Sequence, residues 1–72
     1  MSAQRIIWVQ PLAGGWAVLC AGLEPLVFRS GGRAEAQAKR LAACLARLGR
    51  AVQVRIHDRA QNLIATQLYP AA

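Results

Sequence analysis

The side chains able to do acid, base, nucleophilic or metal chemistry are few. His57 is the only imidazole, Glu24, Glu35 and Asp58 are the only acids, and Cys20 and Cys44 are the only thiols. His57 and Asp58 are adjacent, and neighbours on a strand point to opposite faces, so they make no His–carboxylate pair unless the strand ends between them. A Cys–His nucleophile pair needs both groups on one face. Cys20 shares parity with Trp16 and Val18, on the side expected to be core, whereas His57 shares parity with Arg55 on the outside. Two scattered cysteines and one histidine lack the ligand spacing of structural zinc sites, and there is no CxxC or disulfide framework. The expectation is a non-enzyme with no metal, no cofactor and no small-molecule substrate. His57 then reads as a solvated strand-end residue, Cys20 as core and Cys44 as the edge of a helix stripe.

The charges point to a different kind of chemistry. Nine Lys and Arg stand against three acids, a net charge of +6, and Lys39 is the only lysine. Such an excess favours polyanions, although coding bias toward Arg and Ala together with a gain in solubility is the plainer account of it. At about 100° per residue, Arg33, Arg40 and Arg47 fall in one row of a helix, flanked by Lys39 and Arg50, and such a row can follow a phosphate backbone. The plainer reading is a solvated helix face. No aromatic residue interleaves with these charges, so base stacking is not indicated there. Ser30-Gly31-Gly32-Arg33 places glycines at a helix start, where backbone N–H groups can meet an anion, but it lacks the Gly-Lys-Ser/Thr ending of a phosphate-binding loop.

The elements that must position these residues are legible in the patterning. Arg5 to Gln10 is β-branched and aromatic and reads as a strand, followed by a turn over Pro11 to Gly15. Trp16 to Ala21 is a second strand, broken by Gly22 to Pro25, and Leu26 to Arg29 a short third. Arg33 to Leu48 is a helix whose stripe is Ala34, Ala38, Leu41, Leu45 and Leu48. Gly32 is the expected N-cap, with Glu35 in the first turn, and Gly49 the C′ glycine. Val52, Val54 and Ile56 alternate with Gln53, Arg55 and His57, the signature of a strand with one buried face. A polar turn at Asp58 to Asn62 leads to a last strand, Leu63 to Tyr69, and a frayed Ala71-Ala72 tail. The fold class is α+β, a single domain of order βββ-α-ββ, with one mostly antiparallel sheet, the helix on one face and an ordered core over 5–69. Strand order is not readable beyond the hairpin pairing of neighbours.

This arrangement leaves one face of the sheet uncovered. With Ile7, Val9, Trp16, Val18, Val52, Val54, Ile56, Leu63 and Tyr69 under the helix, the opposite parity holds Ile6, Trp8, Ala17, Leu19, Ile64, Thr66 and Leu68. A 72-residue domain buries only about 60% of its unfolded surface. A homodimer covering Ile6, Trp8, Leu19, Ile64 and Leu68 is the expected remedy, since two-fold dimers are the commonest assemblies. Nucleic acid on the basic helix face is the second expected partner, and the two readings are compatible. The apolar run Ile6 to Val9 is too short for a signal peptide, and Trp16 to Leu23 falls far below the ~20 residues that span a bilayer. A cytoplasmic protein with no membrane partner is the default.

Taken in order, Trp8-Val9-Gln10-Pro11, Gly15-Trp16-Ala17-Val18, Phe28, Arg33-Ala34-Glu35-Ala36, His57-Asp58-Arg59 and Tyr69 resemble a small bacterial family known only as domain of unknown function 2188. The resemblance covers residues 7–69 and rests on order and spacing rather than on any one motif. It implies a small α+β fold and supplies no activity. Members of that family usually carry Asp-Gly after the His-Asp-Arg and then a polar strand. Here the turn reads Ala60-Gln61-Asn62 and the strand holds Ile64, Thr66 and Leu68, which leaves the turn type open and makes the outer sheet face more apolar.

Overall fold

The computed structural model describes residues 5–72. Five strands and one helix follow in the order β1 (Arg5–Leu12), β2 (Gly15–Cys20), β3 (Leu26–Phe28), α1 (Gly31–Arg47), β4 (Val52–His57) and β5 (Leu63–Tyr69). The class is α+β, as the patterning predicts, and the sheet order is β3-β2-β1-β4-β5. Three pairs are antiparallel. The fourth, β1 with β4, is parallel and is joined through β2, β3 and the helix. Parallel neighbours need such a crossover, because no tight turn returns a chain in the same direction.

Strand β1 is longer than its β-branched run. It continues through Pro11 to Leu12, and the turn is only Ala13-Gly14, with Gly14 at φ 78°. Pro11 is tolerated because the β4 ladder ends at Val9 opposite Ile56, so β1 has a partner on only one side beyond that point.

One face of this sheet is the core. Ile7 lies opposite Cys20 and Val54, and Val9 opposite Val18 and Ile56, all six side chains buried. Helix α1 covers this face, but its contact line is not the expected one. The buried positions are Ala34, Ala38, Ala42 and Ala46, while Leu41 and Leu45 flank the core half-buried and Leu48 is 74% exposed. The helical periodicity holds, with its centre displaced toward the small side chains, which let the helix lie close on the sheet.

Both helix ends are satisfied locally. Ser30, not Gly32, is the N-cap, and its Oγ accepts from the Arg33 N–H at 3.1 Å. The helix therefore starts earlier than expected, and no acid falls in its first turn. Glu35 lies one turn on and pairs with Lys39 at 3.5 Å. At the C-terminus the Gly49 N–H donates to Ala46 O and the Arg50 N–H to Leu45 O, the Schellman pattern, with Gly49 at φ 90° as expected of a C′ glycine. The tail is not frayed there: the Ala72 N–H also donates to Ala46 O, at 2.9 Å.

If the alanine line sets the helix–sheet spacing, a larger side chain on it must push the layers apart. Ala38→Leu is expected to lower stability by about 1–3 kcal/mol in urea denaturation. Ala36→Leu, on the exposed side of the same helix, should stay within about 0.5 kcal/mol of the parent.

Candidate functional site

One end of the sheet gathers three of the six reactive groups, His57, Asp58 and Glu35. His57 closes β4, and its Nδ1 donates to Val9 O at 3.2 Å. The Asp58 carboxylate accepts from the Ala60 and Asn62 N–H groups, both at 2.9 Å, and so builds the loop between β4 and β5. Arg59 reaches back across the sheet end, donates to Leu12 O at 2.9 Å and lies 4.9 Å over the Trp16 ring. With Val9, Ile56, Ile64 and Glu35 these residues line an open cleft of about 290 Å³ beside the helix N-terminus. The sequence reads His57 as a strand end and Asp58 and Arg59 as a turn; the long-range partners Leu12 and Trp16 leave no local signal. In this cleft His57, Asp58 and Arg59 each hold backbone groups. Ser30-Gly31-Gly32 is likewise occupied, by its own serine cap. Among the described residues no three His, Cys, Asp or Glu side chains come together in a way that could hold a metal ion.

The five basic residues predicted on the helix side do not form one surface. Arg33, Arg40 and Arg47 lie along the helix, and Arg40 and Arg47 flank a shallow groove with Ala43 and Cys44. Lys39 is drawn to Glu35 one turn back. Arg50 follows the C-cap and lines a separate cleft of about 490 Å³ with Arg5, Ile6, Trp8 and the Cys20–Gly22 segment. Arg5 donates to Ala21 O across this second cleft, at 3.2 Å.

The five apolar residues expected to form a dimer face are also divided. Ile6, Trp8 and Leu19 are half-buried, with Trp8 directly opposite Leu19. On their other side stand Gln53, opposite Ile6, and Arg55, opposite Trp8, and the Arg55 Nε donates to Gln53 Oε1. Leu68 lies beyond this polar strip, paired with Gln53 and 64% exposed. A bulge separates Ile64 from the face. Ala65 pairs with Ile56 and Leu63 with His57, so Ile64 has no partner and instead lines the cleft with Val9 and Trp16. The same extra residue moves Leu63 off the helix side, where the alternation placed it: it sits opposite His57, 54% exposed. Ala17, assigned to the outer face by parity, is nevertheless buried between Gln10 and Val27. Tyr69 and Trp16 each pack against the core as expected, both half-buried, at opposite corners of the sheet.

No helix among the described residues is long and apolar enough to cross a membrane. No family model, no curated protein and no solved structure matches this chain.

The β4–β5 loop turns at Gln61, whose φ of 67° is, among the described residues, the one left-handed conformation held by a residue other than glycine. A side chain there costs about 1–2 kcal/mol that glycine avoids, less the larger entropy that glycine loses on folding. Gln61→Gly should therefore raise stability by about 0.5–1 kcal/mol, measured as a shift in the urea midpoint.

Proposed function

We propose that this chain is a non-enzymatic module that works as a homodimer, with its second copy received on the β5 side of the sheet. One observation carries the reading: β5 ends the sheet, and three of its large apolar side chains, Leu63, Ile64 and Leu68, are 54–64% exposed. A small domain gains most from a partner where such side chains are concentrated. Ile6, Trp8 and Leu19 are already half covered by neighbours and contribute less. The non-enzymatic part of the proposal rests on His57 and Asp58 being engaged with backbone, and on Cys20 lying buried in the core. Membership of the family of unknown function 2188 remains part of the proposal, on the residues that carry the resemblance. Light scattering across a concentration series is the test. The parent protein should reach twice the monomer mass of 7.8 kDa, and Leu68→Lys should stay at the monomer mass. A parent mass that never leaves the monomer value at high concentration overturns the reading.

A second reading is favoured by a different observation. Arg33, Arg40 and Arg47 follow one row of α1, whose only acid is Glu35. Such a row fits the phosphates of a nucleic acid, and binding should weaken steeply with salt. With labelled duplex DNA at ~50 mM salt and micromolar protein, Arg40→Ala/Arg47→Ala should reduce the slope of log K against log salt by about 1.8, the loss of two phosphate contacts. No shift by the parent under those conditions excludes this use of the helix.

A further inference from the structure

We propose that the second copy joins along the free edge of β5, antiparallel about a two-fold axis at Gln67, so that two five-stranded sheets become one continuous sheet. This rests on the self-association reading above and specifies its geometry.

An edge strand presents a row of unpaired N–H and C=O groups, and proteins that stay apart blunt such edges with short strands, prolines and charges. The two edges here are treated oppositely. Strand β3 is three residues long, preceded by Glu24-Pro25 and followed by Arg29. Strand β5 is seven residues long and, among the described residues, is paired on one side only, to β4. It carries no charge, and neither does any side chain from Ala60 to Ala72. All nine cations lie at Arg59 or before it, so two copies with a charge of +6 each can meet along β5 without setting a cation against a cation. The only irregularity in its pairing is the bulge at Ile64, which leaves Ala65 to Tyr69 as the regular stretch.

The midpoint of that stretch is Gln67. A two-fold axis there pairs Gln67 with its counterpart, Thr66 with Leu68 and Ala65 with Tyr69. Each pairing is sterically and chemically matched. On the outer face the exposed Leu68 of each copy meets the Thr66 of the other. On the helix side the Tyr69 ring meets the small Ala65, and the two Gln67 amides can donate and accept reciprocally. Directly opposed residues on an antiparallel pair have Cβ atoms about 4.5–5.5 Å apart, close enough for these contacts. A second copy supplies this match automatically, because a two-fold interface presents the same surface from both sides.

Cross-linking of the full chain tests the register. In a Cys44→Ser background, which removes the exposed thiol and keeps the buried Cys20, Gln67→Cys should give a covalent dimer with a short bis-maleimide, and Leu19→Cys should not. Thr66→Lys should weaken the dimer by about tenfold or more, since it sets a charge beside Leu68 of the other copy, whereas Leu19→Lys should leave the dimer intact. A dimer that cross-links in the Leu19→Cys variant but not in the Gln67→Cys variant, and that Leu19→Lys dissociates, overturns edge pairing while leaving self-association in place. A parent protein that is monomeric at every concentration overturns both, and leaves the β5 edge to a strand of some other protein.

Discussion

Close contact between helix and sheet is the constraint on which the rest of this structure depends. Four alanines one turn apart, Ala34, Ala38, Ala42 and Ala46, form the floor of a helix about 25 Å long. Opposite them stand the β-branched residues Ile7, Val9, Val18, Val52 and Val54, each at most 2% exposed. Small side chains on one layer and branched ones on the other fill the centre of the space between, and the larger Trp16, Phe28, Leu41, Leu45 and Tyr69 pack around it half-buried. The pairing is economical in sequence, since a 72-residue chain has few positions for a core. It also has a consequence. A single helix seated so closely covers one face of a sheet, and the other face and both edges are left for other devices to manage.

Those devices differ from edge to edge. On the β3 side the sheet stops after three residues, between a proline and an arginine. On the β5 side it continues for seven uncharged residues. The hairpin that carries β5 is anchored mainly through the parallel β1–β4 ladder, together with Arg59 reaching Leu12 and Trp16 at one end. At the other end the segment after β5 is tied to the helix C-terminus by the Ala72 N–H. Anchoring at both ends holds β5 in place while leaving its outer edge open.

The sequence is most legible where one physical signal acts alone. The alternation from Val52 to His57 places a half-buried strand, and Gly49 marks the helix end because a left-handed C′ position favours a residue without a side chain. Legibility fails where a second constraint intervenes. The leucines draw the helix stripe away from its true centre, because hydrophobicity ranks Leu above Ala while close packing ranks them the other way. A serine two residues upstream of Gly32 is the better cap, since only a side-chain oxygen can satisfy a free N–H of the first turn. Parity through β5 holds from Tyr69 back to Ala65 and then inverts at the bulge, which exchanges the expected places of Leu63 and Ile64. Nothing in the alternation announces an extra residue. The parallel pairing of β1 and β4 and the reach of Arg59 join residues more than forty positions apart, beyond any local pattern.

The two proposed roles of the chain are linked by the symmetry of a sheet edge. Antiparallel pairing about a two-fold axis normal to the sheet leaves each face where it was, so residues that pair always share a face. Two copies joined along β5 therefore carry both α1 helices on the same side of one sheet. The rows Arg33, Arg40 and Arg47, each about 21 Å long, then lie on a common surface, and the Trp8, Leu19 and Arg55 faces lie together on the reverse. Face-to-face packing would do the opposite, burying the Trp8 side and sending the helices outward in opposing directions. The edge geometry is thus the one that converts a modest basic stripe into a single broad cationic surface, and multiplying phosphate contacts on one surface is what raises the affinity for a polyanion most steeply.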